Sequence, residues 1–204
     1  TDCNAGNVGA ILGVFNGIDA IDHPWIEPIK DLLISSSVIG SLNIDTVSNT
    51  AMYFCMLGCR MHHVSPPAPW AERIGQEGRV FHFDFQKSTQ AIRPARDAVA
   101  IENCDQEVVA GHRSLRIAVK DVSSMKVFLK TYYRPEDLSD SRYDPSFTPI
   151  LFPGQRVRAV LKNIGNTRVE GVLSAYDMRH DAAYEAKLLL EPEVTKTMTL
   201  QIPR

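Results

Sequence analysis

Asp2, Cys3 and Asn4 place a carboxylate, a thiol and a carboxamide in successive positions, directly ahead of a glycine-rich apolar run. An aspartate at the start of a helix presents a hard oxygen donor of the kind magnesium takes, an ion that keeps several of its waters. Such an ion polarises a bound oxygen or supplies an activated water for hydrolysis. The same aspartate also serves as an ordinary cap, favourable against the positive end of the helix dipole. Cys3 is a poor magnesium ligand through its thiol, which leaves it a carbonyl contribution or a lining role. Asn4 is suited either to hydrogen-bond a substrate or to cap the helix.

A second group of candidates is aromatic. Tyr132, Tyr143 and Tyr176, with Trp70, Tyr133, Phe147 and Phe152, offer ring faces on which the apolar side of a pyranose can stack. For any single ring, packing in the core or rim of a sandwich is the expected role ahead of stacking. Cys55, Cys59, His62 and His63 lack the tight Cys-x2-Cys pairs of a zinc site, so they read as packing residues. The four cysteines are too sparse for a disulfide framework and are expected to be reduced and buried. No Ser-His-Asp or paired-carboxylate spacing is legible.

The elements that must position these groups divide the chain in two. Gly9, Gly13 and Gly17 recur every four residues, which draws a bare stripe along a helix whose other positions are largely Ile11, Leu12, Val14, Phe15 and Ile18. Each interior glycine costs a helix about 1 kcal/mol relative to alanine, so the stripe predicts close approach of a neighbouring helix or a ligand. The surrounding apolar positions predict burial on nearly every side. Helical character continues to about His63, with a loop at Ser35-Ser36-Ser37 and Gly40 and with Asp45 as the expected cap of the last helix. Ser65-Pro66-Pro67-Ala68-Pro69 then ends it.

Beyond the prolines the apolar period becomes two. Phe81, Phe83 and Phe85 alternate with polar neighbours, as do Leu115, Ile117 and Val119; Val127 and Leu129; Val157, Ala159 and Leu161; Val169 to Ala175; Tyr184 to Leu190; and Met198 to Ile202. Turn signals such as Gly111-His112, Pro153-Gly154 and Gly165-Asn166 separate the runs. Short strands at regular spacing predict an antiparallel β-sandwich. The expected fold class is therefore α+β in two units: a helical unit over 1–64, a Pro-rich linker over 65–76 and a jelly-roll-like sandwich over 77–204.

Thr1-Asp2-Cys3-Asn4-Ala5, the apolar glycine-rich helix after it, Pro24-Trp25 and Pro28-Ile29-Lys30-Asp31 resemble the end of the catalytic domain of the ADP-ribosylglycohydrolase family. The resemblance covers about residues 1–63. It implies an all-helical hydrolase domain holding two magnesium ions, with Asp2 matching the second aspartate of the family's late metal motif and Cys3 the residue after it. The motif's first aspartate would precede Thr1. The resemblance thus implies the C-terminal part of a hydrolase acting on an N- or O-glycosidic bond to ADP-ribose or a related glycoside, inactive alone. Its partner would be the upstream part of that domain, or a second copy. Phe83-Asp84-Phe85, Ser114-Leu115-Arg116-Ile117 and Tyr143-Asp144-Pro145-Ser146-Phe147-Thr148-Pro149 resemble the galactose-binding-like sandwiches appended to many carbohydrate-active enzymes. That likeness implies glycan binding as the alternative function, with a bracing or dimerising module as a third.

Composition sets outer limits. A chain of 204 residues with 44% hydrophobic residues can bury one or two cores. A net charge of -2 without a basic block gives no nucleic-acid footprint. The longest apolar run is too short and glycine-broken to span a bilayer.

Overall fold

The computed structural model describes residues 2–35, 37–68, 70–73, 78–97, 99–119, 124–138 and 146–204. It is a mixed helix-and-strand chain in which every sheet among the described residues is a two-stranded antiparallel ladder.

Helix α1 spans Asp2–Asn16 and ends at Gly17, whose φ of 75° no β-carbon residue adopts cheaply. No residue of α1 is buried: Val14 is 89% and Phe15 85% exposed. A β-carbon added at Gly6, Gly9 or Gly13 would meet nothing within 4 Å. The expectation of a helix buried on nearly all sides is thus corrected. The apolar residues that predicted burial find no covering element among the described residues.

A single turn, α2 (His23–Ile26), leads to strands β1 (Leu32–Ile34) and β2 (Ile44–Thr46), which pair antiparallel with Leu33 opposite Asp45. Leu32–Ile34, in the stretch expected to be helical, and Ile44–Thr46, expected to be a helix entry, are therefore strand. Helix α3 follows at Val47–Met61, and its cap is Thr46 rather than Asp45. The Thr46 hydroxyl accepts the Asn49 amide at 3.1 Å, while Asp45 sits one residue too early and accepts instead from the Asn49 side chain. A further turn, α4, spans Trp70–Arg73.

The expected strand at Phe81–Phe85 does not form. Phe83 has a φ of 56°, which breaks the extended chain, and its carbonyl is taken by the Asn103 side chain. The ladders that do form are β3 (Arg93–Pro94) with β6 (Val127–Phe128), β4 (Val99–Cys104) with β5 (Ser114–Val119), β7 (Arg156–Lys162) with β10 (Thr195–Gln201), and β8 (Val169–Asp177) with β9 (Ala182–Leu190). β4 carries no clean alternation and had no counterpart in the sequence reading. The last two ladders share a small apolar centre. A β-carbon on Gly171 of β8 would touch Met198, Leu161 and Leu190, one residue from each of the other three strands.

The two sides of the Pro-rich stretch share a second core. Ile44 is 1% exposed, and Asn43 and Gln90, which lie on opposite sides of that stretch, are both fully buried. Asn43 uses both ends of its carboxamide on Thr148, donating to the carbonyl at 2.9 Å and accepting the amide at 2.6 Å. Asp31 accepts from the Ser48 amide and from the hydroxyls of Ser48 and Ser88. The Ala91 amide donates to the Lys30 carbonyl at 2.8 Å. Arg79 donates to the carbonyls of Ile44 and Ser41.

Candidate functional site

Asp2, Cys3 and Asn4 all lie in the first turn of α1 and are exposed. They present their side chains to solvent, not to a cavity. Among the described residues no three His, Cys, Asp or Glu side chains converge as a metal site. The residues present therefore do not constitute a magnesium site by themselves: one carboxylate is far short of an octahedral oxygen set. The cysteines are all free, but Cys3 and Cys55 are exposed and Cys59 half-buried; Cys104 alone is buried, which corrects the expectation for the others. Cys55 and Cys59 lie on α3, a helix with no buried residue, so helical spacing alone did not bury them.

The tyrosines separate. Tyr176 lies on the open β8–β9 hairpin, 61% exposed, with its hydroxyl donated to Asp181. Tyr132 is half-buried, and Tyr143 lies outside the described residues. Tyr133 is the ring that reaches a cavity. It is 8% exposed and stands 6.1 Å, centroid to centroid, from Phe147.

That cavity, about 300 Å³, is lined by Ala91, Arg93, Phe128, Lys130, Tyr133 and Asp137. Its construction follows from local rules. Arg93 and Phe128 are directly opposed in the β3–β6 ladder, so their side chains leave the same face. Lys130 lies two residues beyond Phe128, which returns it to that face in extended chain. Then Arg134-Pro135-Glu136-Asp137 closes a 3-10 turn, Pro135–Asp137, with proline in the first position where its missing N–H costs nothing. Asp137 reaches back to accept the Arg134 amide at 2.9 Å.

The charges in the cavity are unequally matched. Asp137 is held by the Arg134 guanidinium and amide, then by Lys130 at 3.2 Å, and these donors keep its carboxyl far below the ordinary carboxylate range. Lys130 also lies 4.9 Å from the centroid of the Tyr133 ring. Burial pushes the Tyr133 phenol up, with Asp137 adding to the rise and the positive charge of Arg93 partly opposing it. Arg93 itself has no carboxylate partner among the described residues, and its Nε–H is buried without an acceptor. The sequence reading missed Arg93, Lys130 and Asp137. The Pro-Glu-Asp turn was a usable signal for one wall, but nothing local ties it to Arg93 on a different strand.

A second polar cluster surrounds Asp84. Its Oδ1 accepts the amides of His112 at 2.8 Å and Arg113 at 3.1 Å, and its Oδ2 pairs with Arg73. Burial raises the Asp84 carboxyl, but the His112 amide and Arg73 outweigh it and the net shift is downward. The His82 ring accepts the Asp84 amide at Nδ1, which puts its proton on Nε2, a buried atom without an acceptor. Burial, then Arg73, lowers the His82 pKa. A ring whose basic nitrogen already accepts the Asp84 amide has no free base to offer, so this cluster is suited to bracing rather than proton transfer.

Comparison of the chain with protein-family models, with curated proteins and with solved structures gives no match in any of the three. No helix among the described residues is long and apolar enough to cross a membrane.

Proposed function

We propose that this chain is the C-terminal part of a magnesium-dependent hydrolase that cleaves an N- or O-glycosidic bond to ADP-ribose or a related glycoside, followed by an accessory β-rich module of sandwich type. The observation that carries the reading is α1: the Asp2-Cys3-Asn4 motif opens a helix rich in apolar residues and yet buried nowhere. Such a helix is suited to lie inside a larger helical body, and the glycine stripe suits close approach of another helix. Asp2 would be one metal ligand, and the remaining ligands would come from the helices that cover α1. Magnesium would supply Lewis-acid polarisation and an oriented, more acidic water. In that larger body Asp2 would hold such an ion at the start of the helix, Asn4 would hydrogen-bond substrate, and Cys3 would line the site.

The test is release of ADP-ribose from N- and O-linked ADP-ribosyl substrates by the protein as the cell makes it. Magnesium-dependent turnover should be abolished by chelation. It should fall by roughly a hundredfold or more in Asp2→Ala, since even outer-shell partners of a metal ligand are worth about 10–100-fold. The isolated 204-residue chain should show none. Full activity in Asp2→Ala, or chelation-sensitive turnover by the isolated chain, overturns the reading.

The alternative, a glycan-binding module, is favoured by the cavity beside Tyr133, where an aromatic wall meets charged groups that can fix hydroxyls. On that reading binding of a neutral pyranose survives EDTA and Asp2→Ala but is lost in Tyr133→Ala. Equal binding by Tyr133→Ala removes it.

A further inference from the structure

The cavity between the β3–β6 ladder and the Pro135–Asp137 turn is not electrostatically closed. Lys130 and Arg134 direct their charges onto Asp137. Arg93 contributes a third cation, part-buried, whose Nε–H has lost water without gaining an acceptor. A buried donor left without a partner costs about 1–3 kcal/mol, more when the group is charged. Leaving that Nε–H unmet in a cavity that also holds Lys130 is therefore unfavourable unless an acceptor completes it. The walls beside it, Tyr133 and Phe128, are aromatic, and Ala91 leaves room at the back.

We propose that this cavity is a binding site for a small-molecule oxyanion, a phosphate or carboxylate group carried on a ring, with Arg93 as its principal ligand. The Arg93 Nε–H and the guanidinium edge beside it form the planar fork that matches two oxyanion oxygens. Lys130 stands as the second cation on the same face. Tyr133 and Phe128 give the attached ring an apolar surface. Asp137, tied up by Arg134 and Lys130, sets the far limit of the site and repels an anion from that end.

The site narrows the ligand class of the glycan-binding reading and is independent of the hydrolase reading. Its test uses inorganic phosphate and glucuronate as probes, at constant ionic strength, against the folded 204-residue chain. The readout is NMR: the Arg93 Nε–H resonance should shift saturably with at least one probe. The apparent affinity should fall at least about tenfold in Arg93→Gln, partly recover in Arg93→Lys and weaken in Lys130→Gln, because charge-assisted bidentate bonds exceed a point charge. Arg158→Gln, a change on the distant β7 strand, should leave it unchanged. Circular dichroism checks that each variant is folded; Lys130→Gln carries the test should the Arg93 variants fail to fold. Saturable binding of a neutral pyranose with no response to either anion retains the glycan reading and sinks this one. Anion binding unchanged by Arg93→Gln, or by Lys130→Gln if that variant alone folds, also overturns it.

Discussion

Asp84 shows how one side chain can fix three separate stretches. Its carboxylate takes the amides of the 111–113 turn and the Arg73 side chain, and its own amide is capped by His82. Gly111 is the residue this arrangement requires: at a φ of 79° an added β-carbon would lie 2.7 Å from Arg73 Nη2 and 3.0 Å from Asp84 Oδ1. Gly111→Ala should therefore cost at least about 2 kcal/mol in denaturant unfolding, from left-handed strain plus displacement of the ion pair. A loss under half a kilocalorie would mean the turn is not so braced. His82 adds a pH signature. Its pKa is lowered from 6.5, so the unfolded chain binds the proton more readily. Its share of stability is complete above that value and is lost as pH falls from 6.5 through the depressed native pKa. His82→Asn keeps an acceptor near Nδ1 but does not titrate. The difference in melting temperature between wild type and His82→Asn should shrink steadily as pH is lowered below 6.5. Parallel profiles would place the ring in an ordinary solvent environment.

At the scale of elements, periodicity was a good guide to strands and a poor one to what covers them. β7 to β10 alternate half-buried and exposed positions much as their period-two patterns required, because each lays one face on the small centre around Gly171. Phe81–Phe85 alternates just as cleanly but makes no ladder, since Phe83 takes a positive φ and Asn103 and Gln90 take its backbone groups. That is tertiary hydrogen bonding overriding local preference. At Gly171 the room is measurable. Met198 Cε would lie 3.3 Å from an added β-carbon and is the free end of a flexible chain, whereas Leu161 and Leu190 follow at 3.5 Å. Gly171→Ala should stay within about 1 kcal/mol of wild type, the gain in strand stiffness offsetting a small shift of Met198. Gly171→Val should cost about 1–3 kcal/mol by overpacking. α1 predicts the opposite behaviour. Ile11→Glu with Phe15→Glu removes apolar surface that nothing among the described residues covers, so unfolding free energy should change by less than about 0.5 kcal/mol. Any association through α1, read by analytical ultracentrifugation, should weaken. A large destabilisation would show that α1 folds back onto the chain.

The whole molecule is where the sequence was least informative, because its cohesion runs through residues that are distant in sequence and unremarkable in type. A proline cluster between a helical and a strand-rich stretch predicts two separable units. The hydrogen bonds of Asn43 with Thr148, Asp31 with Ser88, Lys30 with Ala91 and Arg79 with Ile44 cross it. No local pattern marks Asn43 for burial; polar residues are usually exposed unless fully bonded. The cavity was hidden for the same reason, Arg93 being brought to Tyr133 only by a ladder two residues long. The crossing bonds have a cooperative consequence. If they join the parts into one core, thermal unfolding of the 204-residue chain is a single transition, and Asn43→Ala moves all of it. That change removes a fully buried side chain and leaves the half-buried Thr148 amide and carbonyl without their partner, so it should cost about 2–4 kcal/mol. For a chain of this size the midpoint then falls by roughly 4–16 °C. Far-ultraviolet signals from helix and near-ultraviolet signals from the aromatic residues should shift together. Two transitions, of which Asn43→Ala moves one, would instead mean that the Pro-rich stretch separates units that unfold independently.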